Sequence, residues 1–78
     1  MKPIVTEKAV LAIERENTLT FQTEMKKTKE NLKKEIEDLF EVKIEKMRTS
    51  IKGNKKYVFV KLKKEFPAID IATKLGLI

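Results

Sequence analysis

The sequence predicts an α+β domain: a small mixed or antiparallel sheet of three to four strands packed with helices, in the order helix-strand-helix-strand-strand-helix. Three observations carry this. Leu32, Ile36, Leu39 and Phe40 fall at i, i+4, i+7 and i+8, the spacing of one buried helical face. Residues 18–23 and 57–62 alternate instead, with period two. Gly53-Asn54 separates two strand-like runs and is a hairpin dipeptide. Amphipathic helices and a sheet with one apolar side bury both surfaces by packing together.

The elements follow in order. Thr6 is a good N-cap, and Glu7 sits in the first turn, where the helix dipole favours a negative charge. Ala9, Val10, Ala12 and Ile13 make that helix apolar on one side, over about residues 6–15, and Asn17 is a plausible stop. Thr18–Thr23 reads as a strand with Leu19, Phe21 and Thr23 on one side. Thr28 caps the helix that runs to Phe40, long enough to serve as a crossover. Val42–Thr49 is the second strand, with Val42 and Ile44 on one side and Met47 on the other. Residues 50–56 form the turn, and Tyr57–Lys63 the third strand, with Val58, Val60 and Leu62 sharing a face. Pro67 suits the first position of a final helix whose stripe is Ala68, Ile71, Ala72 and Leu75, with Gly76 as its C-terminal cap.

No linker, repeat or low-complexity tract divides the chain, so residues 1–78 are read as a single domain. At 78 residues its core has little material left to enclose a deep cleft. With no Cys and no His, disulfides, thiolate or imidazole metal sites and His-dependent triads are excluded. The only glycines, Gly53 and Gly76, make no phosphate loop. No acid/base pair of carboxylates stands out, and a solvated role is expected for them. The reading is therefore a binding protein and not an enzyme, with no cofactor and no metal. No run approaches the roughly 20 apolar residues of a membrane span, so no membrane insertion is expected. The N-terminus is not a signal peptide, and the cytoplasm is the default compartment.

The chain carries 18 Lys and Arg against 12 Asp and Glu, net +6, which points to a polyanionic partner. Such a balance also serves solubility or growth at high temperature, so charge alone leaves both readings open. The densest basic run is Lys46, Arg48, Lys52, Lys55 and Lys56, with no acid among residues 46–56. Lysines on a hairpin can follow a phosphate backbone without reading bases, although they also protect strand edges. A second group, Lys26, Lys27, Thr28 and Lys29, opens the central helix, where free backbone N–H groups and flanking cations suit a phosphate. Tyr57 and Phe59 alternate with Lys61 and Lys63. Such a face can stack bases, but packing beneath a helix is the commoner use of these aromatics and is the reading adopted. The spaced aromatics of an RRM are missing.

The run Pro3-Ile4-Val5-Thr6-Glu7-Lys8 resembles the P-x-V-[ST]-E-K opening of the ribosomal large-subunit protein L twenty-three family. The likeness continues through Asn17-Thr18-Leu19-Thr20-Phe21 and Thr28-Lys29. It includes Glu37-Asp38-Leu39-Phe40-Glu41-Val42-Lys43-Ile44, Lys46-Met47-Arg48-Thr49 and Lys55-Lys56-Tyr57-Val58-Phe59-Val60-Lys61-Leu62. The ending, Ile71-Ala72-Thr73-Lys74-Leu75-Gly76-Leu77, is similar to the archaeal form. The resemblance implies a structural component of the ribosome that binds large-subunit ribosomal RNA near the nascent-chain exit tunnel. Implied neighbours are the L twenty-nine protein and docking factors such as the signal recognition particle or other nascent-chain factors. Lys2, Thr6, Lys8 and Thr49 join Arg48, Lys52, Lys55 and Lys56 and the group Lys26, Lys27, Thr28 and Lys29 as the RNA-binding set. Glu7, with Glu14 and Arg15 on the same helix, is the protein-docking set. Arg48 stands where the family commonly has Asn, which implies phosphate pairing in place of an amide contact. Bacterial members carry a longer hairpin loop into the tunnel, and this chain has no material for one. The competing reading is a free-standing small nucleic-acid- or protein-binding domain.

Overall fold

A computed structural model describes residues 2–76. Its elements are β1 (Lys2–Pro3), α1 (Glu7–Glu16), β2 (Thr18–Thr23), α2 (Lys29–Phe40), β3 (Ile44–Lys52), β4 (Lys55–Leu62) and α3 (Ala68–Lys74). The sheet order is β1-β2-β4-β3 and every pairing is antiparallel. The α+β class and the helix and strand order therefore hold. The two-residue β1 is an addition, too short to show any period. Pro3 is tolerated there because β1 is an edge strand, where a missing N–H costs no ladder bond.

Both predicted caps form. The Thr6 hydroxyl accepts from the Ala9 N–H at 3.1 Å and the Thr28 hydroxyl from the Asn31 N–H at 3.2 Å. Leu32 and Ile36 of α2, Ile13 of α1, and Ala68, Ile71 and Ala72 of α3 close on one side of the sheet. There they meet Leu19, Phe21, Val58, Val60 and Leu62, all buried. Phe40 stacks on Phe21 with ring centroids 6.0 Å apart and planes 17° from parallel.

Leu39 leaves the predicted face and is 64% exposed. Leu32, Ile36 and Phe40 form the i, i+4, i+8 row that meets the core, and Leu39, about 100° of rotation from Phe40, points away from it. The helix stops at Glu41, a left-handed residue with φ 54°. The chain then turns, and the Glu37 carboxylate accepts from the Ile44 N–H at 3.0 Å, so β3 begins at Ile44 and not at Val42. Val42 is buried in this turn.

A bulge at Glu45 shifts the register between Ile44 and Lys46. Ile44 pairs with Leu62 and Met47 with Val60, so both lie toward the core and Met47 packs against it. The simple alternation that sets Met47 opposite Ile44 is corrected by this one inserted residue. The turn expected over residues 50–56 contracts to Gly53-Asn54, because β3 and β4 pair out to Lys52 and Lys55. Gly53 has φ 61° and Asn54 does not share the positive φ, the pattern of a II′ turn.

Asn17 is more than a stop. It adopts φ 51°, and its Nδ2 donates to the carbonyls of Leu62, Lys63 and Phe66 at 3.1–3.3 Å. Its Oδ1 accepts from the Ala68 N–H at 2.5 Å. Pro67 lies just before α3 and not inside it, with no side chain able to cap; Asn17 supplies that cap from across the molecule. Leu75 follows the last helical residue and is exposed, while Gly76 turns the chain at φ 74° and donates to Thr73.

Candidate nucleic-acid interface

The helices cover one side of the sheet, and register fixes what stands on the other. Paired residues share a face, and faces alternate along each strand. One row across the sheet is Lys2, Gln22, Tyr57 and Ser50. The next is Thr20, Phe59 and Arg48, and the next Thr18, Lys61 and Lys46. Lys55 and Lys52 form the row beside the turn. The paired strand positions of this open face thus carry Lys2, Lys46, Arg48, Lys52, Lys55 and Lys61 and no acid; the unpaired bulge residue Glu45 adjoins Lys46. Each of these cations is exposed, and none is held in a salt bridge among the described residues. Held by a rigid ladder, they present a fixed positive surface to solvent.

Tyr57 and Phe59 lie on this face, half-buried, and do not join the core. The expectation that a helix covers them is corrected: α2 and α3 pack on the opposite side. The Arg48 guanidinium lies over the Phe59 ring, 5.9 Å from its centroid. That is close to the limit of about 6 Å for a cation–π contact.

Beside these rings α1 bounds an open groove of about 530 Å³. Its apolar parts are Ile4, Ala9, Leu11, Ala12, Tyr57 and Phe59. Its cations are Lys8, Arg15, Arg48 and Lys52, against one carboxylate, Glu16. A chain this small does build a concavity, because α1 stands at the rim of the sheet and nothing needs to be enclosed.

The predicted RNA-binding residues are therefore split. Lys2, Arg48, Lys52 and Lys55 share the open face, and Thr6 and Lys8 line the groove next to it. Thr49 and Lys56 occupy core-side register positions. Lys26, Lys27, Thr28 and Lys29 lead into α2, on the helix-bearing side. Two of these lysines are already engaged. Lys27 pairs with Glu35 at 3.0 Å, and the Lys56 ammonium donates to the Lys27 carbonyl at 2.6 Å, tying β4 to the approach to α2. The hydroxyl of Thr28 is committed to its cap.

Of the docking set, Glu7 and Glu14 stand two turns apart on α1, exposed, with Leu11 between them. Arg15 belongs to the groove. Sequence reasoning left Lys46, Lys61, Tyr57 and Phe59 outside the site. The usable signal was the second face of β4, since each of the three helices carries only one apolar stripe and together they can cover only one side of a sheet. Among the described residues no cluster of carboxylates could hold a metal ion.

Fold and face together define a small α+β protein with a polycationic open sheet face. Comparison with known proteins names the kind. Residues 1–70 match the family model described as ribosomal protein L23. The chain is 42% identical over 77 residues to the large ribosomal subunit protein uL23 of Picrophilus torridus, covering 99% of this chain and 94% of that relative. This chain belongs to the ribosomal protein L23 family, whose members are structural parts of the ribosome and not enzymes.

Proposed function

We propose that this ribosomal protein is a structural component of the large subunit that binds large-subunit ribosomal RNA near the nascent-chain exit tunnel through the open face of its sheet. The observation that carries the reading is the segregation of charge. The paired strand positions facing solvent carry cations and no acid, while the salt bridge lies on the helix side. Phosphates packed along folded RNA reward such an array, because each neutralised phosphate releases condensed counterions. The large-subunit assignment is supported by the printed name of the Picrophilus torridus relative. The tunnel position comes from the family resemblance.

A binding titration on the cognate ribosomal RNA fragment tests this. Replacing Arg48, Lys52 and Lys55 together by Ala lowers affinity and reduces the salt slope by roughly one unit per lost phosphate contact. An unchanged affinity and slope contradict the assignment of the face.

The α1 surface supports a second role in the same protein, a docking site for the signal recognition particle or other nascent-chain factors. Glu7, Leu11 and Glu14 place an apolar side chain at the rim of the groove between two exposed carboxylates. Glu7→Ala leaves ribosome incorporation intact and weakens co-sedimentation of the factor; undiminished co-sedimentation removes Glu7 from that role. A neighbouring L twenty-nine protein is part of the same proposal.

A further inference from the structure

We infer that the groove between α1 and the open sheet face takes an unpaired, extruded nucleotide, its base against Phe59 and Tyr57 and its phosphates held by Arg48, Lys52, Lys8 and Arg15. This rests on the RNA reading above and goes beyond it, since phosphate neutralisation alone needs neither a groove nor aromatic rings.

Three features choose the occupant. First, the lining combines aromatic rings with four cations and one carboxylate, which suits a ligand that is both planar and anionic. Second, the volume of about 530 Å³ lies within the roughly 300–1,000 Å³ of pockets for small molecules. It fits a nucleotide unit, whereas a paired helix offers such a hollow only its phosphates and sugars. Third, Phe59 is held by its strand and only partly covered by protein. Its cross-strand neighbour Arg48 stands near the far limit of a cation–π contact, a weak hold that leaves the ring available to a second flat partner. A base stacked there puts its own sugar-phosphate within reach of Arg48 and Lys52, which lie on the same strand and face. Thr20 and Ser50 bring hydroxyls to the groove wall, where base edges present donors and acceptors.

The test uses the unmodified chain with a short RNA hairpin carrying one bulged 4-thiouridine, beside the same hairpin with that nucleotide deleted. The bulged RNA binds about tenfold tighter, within the range that base–aromatic stacking supplies. Ultraviolet irradiation crosslinks the thiouridine to the peptide containing Tyr57 and Phe59, a result that needs no variant. Phe59→Leu removes the preference for the bulge, read as the ratio of the affinities for the two hairpins. Equal binding of the two hairpins, or a preference that survives Phe59→Leu with crosslinks elsewhere, overturns the inference while salt-sensitive binding of both keeps the phosphate reading. Failure of either RNA to bind removes both. Displacement of the bulged RNA by an acidic, aromatic peptide of higher affinity overturns it in favour of a protein occupant.

Discussion

The two faces of this sheet are built from the same strands by different rules. On the helix side, Leu19, Phe21, Val58 and Val60 are removed from water and matched by Leu32, Ile36 and the small residues of α3. On the open side, Thr20, Tyr57, Phe59 and Arg48 share the same ladder, yet only the rim of α1 borders them and no element closes over them. The difference teaches where stability and binding reside. The closed face folds the chain, and two of its lysines are tied to partners, Lys27 to Glu35 and Lys56 to the Lys27 carbonyl. The open face contributes little to folding and keeps its cations unpaired.

The comparison breaks first on the closed side. Leu32 is fully buried at the centre of the core, and Leu32→Ala costs about 3 kcal/mol by transfer and cavity terms together. In a domain this small that is a large share of the total, read as a drop of the urea midpoint with little change in slope. Asn17→Ala comes next. It removes the amide bonds to Leu62, Lys63, Phe66 and Ala68 and also places Ala at φ 51°, for about 2 kcal/mol. Asn17→Gly keeps the left-handed backbone and loses only the side-chain bonds, so the gap between the two variants in a denaturation series separates strain from bonding.

The smallest expected effect sharpens the contrast within one dipeptide. Lys55 and Lys56 are adjacent in sequence but stand on opposite faces. Lys56→Ala loses the bond to the Lys27 carbonyl and about 1 kcal/mol of stability, with RNA affinity unchanged. Lys55→Ala weakens RNA binding and leaves the thermal midpoint within experimental error.

Much of this was legible in the sequence. Local signals gave the elements: the Thr6 and Thr28 caps, the period of Leu32 and Ile36, and the alternation of β4. What was not legible depends on single residues meeting distant ones. The bulge at Glu45 has no sequence mark, and it alone moves Met47 to the core side. The four bonds of Asn17 span some 45 to 51 residues, so its own neighbourhood shows only a helix stop. Leu39 follows the apolar period and still ends in water, because periodicity reports which face is apolar and not how far the neighbouring sheet extends. The candidate interface was half visible. The basic run from Lys46 to Lys56 stands out, but a run along the chain mixes two faces, and only register divides Arg48, Lys52 and Lys55 from Thr49 and Lys56.

That division is the central claim, and the salt dependence of RNA binding measures it directly. Two triple variants carry the same loss of charge: Arg48, Lys52 and Lys55 to Ala on the open face, and Lys26, Lys29 and Lys56 to Ala on the helix side. The open-face triple lowers the slope of log K against log salt by roughly two to three units and the helix-side triple leaves it unchanged. An equal fall for both variants contradicts the account, since it means that total charge and not the face of the sheet governs the contact.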